Sequence, residues 1–250
     1  MSTDQVAIVT GSGRGIGAET AMLLAQHGYA VCLNYLANQA AAEQVRDRIL
    51  VSGGRCLVVQ ADVASAADVT RLFETVDAEL GPVSVLVNNA AMLMAQCRFE
   101  DISEQRFQQV LTANVLSCFL CSQQAIRRMS TRHGGAGGAI VNVSSRAAQT
   151  GSPNEYIDYA ASKGAMDTLT RGLALELAQE GIRVNGVRPG LIHTDMHAAG
   201  GEPGRVERLK SRIPMQRGGQ ASEVAEAILW LATEKASFVT GSFIDVSGGW

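Results

Sequence analysis

The chain has 250 residues, of which 46% are hydrophobic and 18% charged, with a formal net charge of −3 at pH 7. This composition fits one folded domain over residues 1–250 and excludes an intrinsically disordered protein. The slightly acidic balance gives no electrostatic basis for binding nucleic acid or an anionic membrane, and no apolar run approaches the roughly 18 residues that cross a bilayer.

Strand-like and helix-like runs alternate along the chain. Strands are predicted at Val6–Val9, Ala30–Asn34, Cys56–Val59, Val83–Val87, Ala139–Val143, Ile182–Val187 and Ser242–Val246. Helices are predicted up to His27 and near Asn38–Leu50, Ala66–Leu80, Glu104–Met129 and Glu155–Gln179. Such alternation implies right-handed crossovers and therefore an α/β fold, in which a doubly wound parallel sheet carries helices on both faces. Ligands of such sheets bind at the carboxyl ends of the strands.

A glycine-rich turn, Thr10–Gly17, follows the first strand and opens the first helix. It contains Gly11, Gly13, Arg14, Gly15, Ile16 and Gly17. A strand, a glycine turn and a helix N-terminus together direct backbone N–H groups at an anion, and the missing side chains let a pyrophosphate approach. The spacing is Gly-x-x-x-Gly-x-Gly rather than Gly-x-Gly-x-x-Gly, and a purely structural turn is the alternative.

Tyr159 and Lys163 lie four residues apart, and Ser145 precedes them in Val-Asn-Val-Ser-Ser. Helical spacing of four places the phenol and the ammonium on one face. An ammonium beside a phenol favours the phenolate, so Tyr159 would exchange a proton closer to neutral pH. The spacing alone arises often by chance, but together with the glycine turn it predicts a nucleotide-dependent proton-transfer site.

The cysteines and the N-terminal residues indicate a cytoplasmic protein. Cys32, Cys56, Cys97, Cys118 and Cys121 show neither a paired framework nor the spacing of metal ligands. The first residues contain no basic segment followed by an apolar stretch, which is the form of a secretory signal. We therefore expect a reducing compartment and no bound metal.

These motifs resemble the short-chain dehydrogenase/reductase family over essentially the whole chain. The residues that carry the resemblance are Thr10–Gly17, Asp62, Val63, Asn88, Asn89, Ala90, Asn114, Ser145, Tyr159, Lys163, Pro189 and Gly190. The resemblance implies a Rossmann-type sheet of seven strands and hydride transfer between a nicotinamide cofactor and a carbonyl or secondary alcohol. Segments 151–156, 196–204 and 214–219 also resemble a bacterial subgroup labelled glucose-dehydrogenase-like or 3-oxoacyl-reductase-like.

The resemblance assigns roles to four catalytic residues. Tyr159 would exchange a proton with the substrate oxygen, and Lys163 would lower the tyrosine pKa and hydrogen-bond the nicotinamide ribose. Ser145 would donate to the substrate oxygen, because strand alternation points Ser144 to the opposite face. Asn114 would hold a water beside the lysine, with a satisfied helix interruption as the alternative.

The other cofactor contacts implied by the resemblance follow later strands. Asp62 and Val63 would meet the adenine, and Asn89, Ala90 and Ala91 would approach the adenosine ribose. Pro189, Gly190, Ile192 and Thr194 would line the nicotinamide, which Tyr159 and Lys163 also approach. Ala91 replaces a glycine of the family pattern, which implies local strain or a shifted loop if that position needs a positive φ.

The preference between NADP and NAD depends on the end of the second strand. An acid there would hold the ribose 2′-hydroxyl and repel a 2′-phosphate, but this position is Tyr35. Arg14 lies where the family often places a cation for the 2′-phosphate. Leu36 argues against NADP because many NADP-preferring relatives carry arginine there, while Asn34 and Tyr35 could supply neutral hydrogen bonds. We expect NADP to be preferred and NAD to be possible.

The substrate is left open by the sequence. Its pocket would be walled by Met92–Cys97, Arg146–Tyr156 and a glycine-containing lid at about residues 195–212. The leading hypothesis is an NADP-dependent oxidoreductase acting on a small-molecule carbonyl or alcohol. The alternatives are an NAD-dependent sugar or polyol dehydrogenase and a catalytically silent nucleotide-binding regulatory protein. By resemblance, the long helices and the last strand would assemble a two-fold symmetric homotetramer.

Overall fold

The computed structural model describes residues 5–250. The strands in chain order are β1 (Val6–Val9), β2 (Ala30–Tyr35), β3 (Arg55–Gln60), β4 (Val83–Asn88), β5 (Gly138–Val143), β6 (Ile182–Pro189), β7 (Ile192–His193), β8 (Gly219–Gln220) and β9 (Phe243–Val246). Seven of them form one parallel sheet in the order β3-β2-β1-β4-β5-β6-β9, and β7 pairs with β8 separately. The strand order reverses between β1 and β4, which opens a crevice at the carboxyl ends of these two strands.

Helices cover both faces of this sheet. They are α1 (Gly15–Gln26), α2 (Gln39–Val51), α3 (Ala66–Glu79), α4 (Glu104–Leu111), α5 (Ser117–Met129), α6 (Ala147–Thr150), α7 (Ile157–Leu177), α8 (Met196–Ala199), α9 (Arg205–Leu209) and α10 (Ala221–Ala232). The apolar core under α1, α2 and α10 is separate from the core under α3, α5 and α7. Between residues 5 and 250, the structure contains no helix long and apolar enough to cross a membrane.

The first strand illustrates why both faces need helices. Ala7 and Val9 join the core under α1 and α10, whereas Val6 and Ile8 join the core under α3 and α5. All four side chains are buried. Because successive side chains of a strand point to opposite faces, a continuous apolar run is stable only between two covering layers. The predicted Rossmann-type, doubly wound parallel sheet of seven strands is confirmed.

The helix predicted over Glu104–Met129 is interrupted, and this corrects the sequence-based prediction. A π-helical turn at Thr112–Leu116 separates α4 from α5. Asn114 lies in that turn, fully buried, and its side chain hydrogen-bonds the backbone of Met92. Single π turns inside helices are frequently found at functional sites, because they redirect a backbone group without ending the helix.

Helix α10 is absent from the sequence-based prediction, although local signals for it exist. Gln220 and Glu223 cap its first turn reciprocally. Val224, Ile228 and Leu231 follow at helical spacing and are fully buried against the sheet. A capping pair followed by this spacing is typical of an amphipathic helix.

The segment predicted as a lid, residues 195–212, folds into α8, α9 and the turns around them. Val206 and Leu209 pack with Leu191 and Ile213 in a small apolar cluster, against which Trp250 also packs. This cluster is separate from the two cores of the sheet. The segment therefore has its own apolar anchor beside the carboxyl ends of the strands.

Candidate active site and cofactor cleft

The glycine turn between β1 and α1 forms a cradle that side chains would fill. Gly15 has a φ of +56°, in the left-handed region that favours glycine. A Cβ at Gly17 would lie 2.5 Å from Asn89 Nδ2 and 2.7 Å from the Gly11 carbonyl oxygen. The turn therefore needs glycine at these positions, and it leaves backbone N–H groups at the start of α1 accessible to a pyrophosphate.

The cradle is fixed to the end of β4 by backbone-directed hydrogen bonds. The Thr10 hydroxyl accepts from the backbone N–H groups of Asn89 and Ala90, each at 3.0 Å. Asn89 Nδ2 donates to the carbonyl oxygens of Thr10 at 2.9 Å and Gly11 at 3.1 Å. The Asn89 amide nitrogen thus holds the turn in place.

Asn34 also supports the cradle from beneath. Its side chain is 2% exposed, and its Oδ1 accepts from the Gly11 N–H at 3.2 Å. Its Nδ2 donates to the Ala61 carbonyl oxygen at 3.0 Å. Asn34 therefore supports the glycine turn, and its predicted contact with the cofactor stays a prediction.

Arg14 and Tyr35 are the polar side chains next to this part of the cradle. The Ser12 N–H donates to the Asn34 carbonyl oxygen at 3.0 Å, which places the glycine turn beside the end of β2. Arg14 is exposed and has no ion-pair partner among residues 5–250, whereas Tyr35 is partly exposed. Leu36 is 62% exposed and presents no charge.

The end of β3 carries the residues predicted to meet the adenine. Asp62 is exposed, and its Oδ1 accepts from the Ala64 N–H at 2.9 Å, which leaves its other oxygen on the surface. Val63 is buried within the core under α3. At the end of β4, Ala91 does not have a positive φ, so the condition for local strain is not met and a shifted loop stays a prediction. Within the described residues, positive φ values outside glycine occur only at Ser152, Asn154 and Gln216.

The residues predicted to line the nicotinamide lie at and after the end of β6. A Cβ at Gly190 would lie 2.9 Å from Ser247 Cα, so this position needs glycine for close backbone packing. Thr194 Cγ2 lies 3.4 Å from the place where a Gly15 Cβ would stand. Ile192, which lies between Gly190 and Thr194 in the sequence, is buried. The structure therefore brings Thr194 against the glycine turn, as expected for residues lining one cleft.

Ser145 and Ser144 face opposite sides of the chain after β5. The Ser145 hydroxyl accepts from the Ala147 N–H at 3.1 Å and stays near the surface of the cleft. The Ser144 hydroxyl is buried and donates to Asp167 Oδ1 at 2.6 Å. The alternation predicted for these two serines is therefore present, and Ser144 is engaged in the interior.

Tyr159 and Lys163 share one face of α7, as their spacing predicts. Burial raises the pKa of Tyr159 to about 12, and the nearby Ser145 hydroxyl acts in the opposite direction. Lys163 is 1% exposed, and its Nζ donates to the Val143 carbonyl oxygen at 2.7 Å. Nζ lies 5.6 Å from the centroid of the Tyr159 ring.

A lowering of the Tyr159 pKa by Lys163 stays a prediction. The Lys163 ammonium is directed at the Val143 carbonyl oxygen, and burial is the largest influence on the Tyr159 pKa. The phenol is therefore protonated at neutral pH. Burial also lowers the pKa of Lys163 to about 8, while Cys118 and, to a smaller extent, Asp167 act in the opposite direction. Near neutral pH the pair therefore consists of a phenol and a largely protonated amine.

Asn114 is a fully buried, hydrogen-bonded interruption of its helix. Its Oδ1 accepts from the Met92 N–H at 2.6 Å, and its Nδ2 donates to the Met92 carbonyl oxygen at 3.1 Å and to Ser162 Oγ at 2.9 Å. The carboxamide thus ties the loop after β4 to α7. A part in a proton relay remains a prediction, and it would have to use the backbone of the π turn rather than this side chain.

Polar contacts hold the lid segment against two neighbouring loops. Glu202 accepts from Gln96 Nε2 at 2.6 Å, and Arg205 Nη1 donates to Glu155 Oε1 at 2.8 Å. The Tyr156 hydroxyl donates to the Gly200 carbonyl oxygen at 3.2 Å. A recess of about 320 Å³ lies beside the lid, lined by His193, Thr194, Asp195, His197, Pro203, Val206 and Glu207. Within residues 5–250, no cluster of His, Cys, Asp and Glu could hold a metal ion.

Two charged residues behind the site are missing from the sequence-based prediction. Asp167 lies one helical turn after Lys163, and Arg188 immediately precedes Pro189 in β6. They form a buried ion pair, with 2.8 Å between Arg188 Nη2 and Asp167 Oδ2. Arg188 could have been noticed in the sequence as a charged residue inside an apolar strand. A buried charge requires a partner, so its presence indicates a buried ion pair.

Comparisons of the whole chain with known proteins show its family. A family model described as enoyl-(acyl carrier protein) reductase matches residues 11–250. YgfF, an uncharacterised oxidoreductase of Escherichia coli K12, is 57% identical over 244 residues, covering 98% of this chain and 99% of that protein. The 3-oxoacyl-(acyl-carrier-protein) reductase FabG of Staphylococcus aureus is 36% identical over 249 residues, covering 100% and 99% of the two chains.

A solved structure shows the same similarity in three dimensions. It is a double mutant of a Serratia marcescens short-chain dehydrogenase/reductase, with a TM-score of 0.89 and 33% identity. The alignment covers 98% of this chain and 97% of that one. The chain therefore belongs to the short-chain dehydrogenase/reductase family of oxidoreductases.

Proposed function

We propose that this protein is an NADP(H)-dependent oxidoreductase that transfers a hydride between the nicotinamide and a carbonyl or secondary alcohol substrate. The observation that carries the proposal is the meeting of Ser145, Tyr159 and Lys163 beside a glycine cradle. The Ser145 hydroxyl acts on the pKa of Tyr159, and Lys163 lies on the same face of α7. Family membership supports the nicotinamide nucleotide, since the cradle has the backbone form that holds a pyrophosphate.

The side chains divide the work of carbonyl reduction. Tyr159, protonated at neutral pH, donates its proton to the substrate oxygen, and Ser145 donates a hydrogen bond to the same oxygen. The Lys163 ammonium, whose Nζ lies 5.6 Å from the centroid of the Tyr159 ring, stabilises the phenolate that remains. The nicotinamide, when bound, supplies the hydride. At neutral pH the Tyr159 phenol is in the acid form, which is the form that donates during reduction.

The preference for NADP rests on charge at the end of β2. Arg14 is an exposed cation without an ion-pair partner in the part of the chain that the structure describes, and Tyr35 replaces a repelling acid. Calorimetric titration with NADPH and NADH at matched ionic strength tests this. We expect tighter NADPH binding that is lost in Arg14→Ala. Arg132→Ala is the matched control, because Arg132 is an exposed arginine beyond the opposite end of β5. Preference for NADH would overturn the assignment.

The reaction is tested by NADPH oxidation with a set of carbonyl compounds. Acetoacetyl-coenzyme A represents 3-oxoacyl thioesters, and ethyl acetoacetate represents keto esters. Glucose and ribitol, supplied with NAD and NADP, test the sugar or polyol dehydrogenase alternative. Turnover of a carbonyl with NADPH supports the proposal. Nucleotide binding without turnover of any compound would favour the catalytically silent regulatory protein.

We further propose that the chain is one domain whose segment 195–212 closes over the substrate, and that it forms a homotetramer in the cytoplasm. Phe119 on α5 and Leu175 on α7 are 43% and 84% exposed, and Phe238 near β9 is fully exposed. Exposed apolar groups of this size are typically buried between subunits. Light scattering should give four chains for the wild type and fewer for Leu175→Asp. The five free cysteines fit a reducing compartment.

A further inference from the structure

A network of buried charges lies directly behind Lys163. Asp167 and Arg188 are 5% and 6% exposed, and Arg188 Nε donates to Asp167 Oδ2 at 2.9 Å. The Ser144 hydroxyl donates to Asp167 Oδ1 at 2.6 Å and lies 3.3 Å from the Lys163 carbonyl oxygen. Both Asp167 oxygens therefore have partners, and the carboxylate is held in one orientation next to the backbone of Lys163.

The network continues to the last strand of the sheet. Arg188 Nη1 lies 3.6 Å from Asp245 Oδ1, and Asp245 Oδ2 lies 2.7 Å from Arg146 Nη1. The Phe243 ring covers the Arg188 guanidinium, whose carbon lies 3.8 Å from the ring centroid. Arg146 directly follows Ser145. The ion pairs thus connect the carboxyl ends of β5 and β6 with α7, and Asp245 of β9 is the connecting residue.

The groups facing Lys163 come from several elements. On α7 they are Tyr159 and Asp167, and on α5 the facing group is Cys118, whose pKa burial raises to about 11, so the thiol is neutral near pH 7. On β6, Arg188 faces Asp167 from the other side. Beyond it, the side chains of Asp245, Arg146 and Arg171 complete the set, with Arg171 over the outer part of the Phe243 ring. Asp167 thus follows Lys163 by one helical turn on α7, and its carboxylate pairs with the buried Arg188 guanidinium.

We propose that Asp167 and Arg188 are positioning residues that keep Lys163 cationic and fix Ser145 and Pro189 relative to it. The inference rests on the proposed function, in which the Lys163 ammonium assists Tyr159. Asp167 stabilises the Lys163 ammonium. Arg188 partly neutralises the Asp167 carboxylate and so limits its attraction for that ammonium. A buried ion pair adds little to stability compared with apolar residues of similar size. Its value here is a fixed charge beside a catalytic amine that burial would otherwise neutralise.

Two substitutions that should shift the pKa of Lys163 in opposite directions test this inference. Asp167→Asn removes the anion but keeps the shape, so the pKa of Lys163 falls. The alkaline limb of the NADPH-oxidation rate should then move to lower pH by about one unit. Arg188→Gln leaves Asp167 unneutralised, so the limb should move to higher pH. Arg188→Lys retains the charge and should leave the limb near the wild-type position. Asp77→Asn, which removes one partner of a surface pair with Arg128, is the matched control and should leave the limb unmoved.

A second readout separates this inference from the proposed reaction. The pH dependence of unfolding, measured with Lys163 and with Lys163→Met in each background, reports the lysine pKa without any substrate. If no carbonyl is turned over, the proposed function fails, but opposite shifts of the unfolding curves would still support the charge network. Shifts of the same sign in Asp167→Asn and Arg188→Gln, or no shift in folded variants, would overturn it. Circular dichroism verifies that each variant is folded.

Discussion

Lys163→Met tests the cost of burying the Lys163 ammonium. Lys163 is 1% exposed, and burial lowers its pKa from 10.5 to about 8. Methionine has a similar length and no charge, and Met166 already lies against the lysine amine at 3.9 Å. The substitution removes the titrating group while preserving most of the packing. Any pH dependence of stability that disappears in the variant therefore belongs to Lys163.

The sign and size of the effect follow from proton linkage. Between pH 8 and pH 10.5, the unfolded chain keeps a proton on Lys163 that the folded chain has released. The free energy of unfolding therefore rises with pH in this window, because the folded state no longer buries a charge. Integrated from pH 7 to pH 10, the rise carried by Lys163 is about 2.5 kcal/mol.

Urea unfolding at pH 7 and pH 10, at fixed protein concentration, measures this quantity. The wild-type free energy of unfolding minus that of Lys163→Met cancels the tyrosine and cysteine titrations that both proteins share. We expect this difference to shift by about 2.5 kcal/mol in favour of the wild type at the higher pH. A difference that stays constant between the two pH values would show that Lys163 keeps its ordinary pKa, and the reasoning would fail.

Two further predictions concern the cofactor cleft. Gly17→Ala places a methyl group 2.7 Å from the Gly11 carbonyl oxygen, so calorimetry should give at least about tenfold weaker NADPH binding, and unfolding should give about 1–3 kcal/mol lower stability. Gly172→Ala is its control, since nothing in the chain lies within 4 Å of that position in α7, and NADPH binding should be unchanged. Tyr35→Asp should shift the ratio of NADPH to NADH affinity by at least about tenfold toward NADH, because a carboxylate repels the 2′-phosphate; an unchanged ratio would remove the end of β2 from the specificity argument.

The parts of the fold that were predictable depend on local sequence. Buried parallel strands appear as short apolar runs, and Val6–Val9 is found where it is predicted. The glycine turn and the spacing of Tyr159 and Lys163 are local as well. The backbone conformation of one turn or one helix fixes their relative positions, so the cleft and the shared helix face could be expected without knowledge of the rest of the chain.

The sequence does not indicate side-chain partners that are distant along the chain. Asn34 reaches Ala61, and Asn114 reaches Ser162, 48 residues away. Asp167 and Arg188 meet across α7 and β6. No periodic pattern indicates which polar group at the end of a strand faces the cleft and which one supports it from below. That distinction is set by tertiary packing, which also placed the Lys163 amine at a carbonyl instead of the phenol.

The proposed reaction depends most directly on the Tyr159 hydroxyl. The decisive measurement is the rate of NADPH oxidation with the best carbonyl substrate, for wild type and for Tyr159→Phe, after calorimetry has established that both bind NADPH equally. We expect the variant to lose at least about 100-fold in turnover, because it lacks the proton donor but keeps the cleft. Undiminished turnover in Tyr159→Phe would contradict the proposal that this tyrosine is the acid of the reaction.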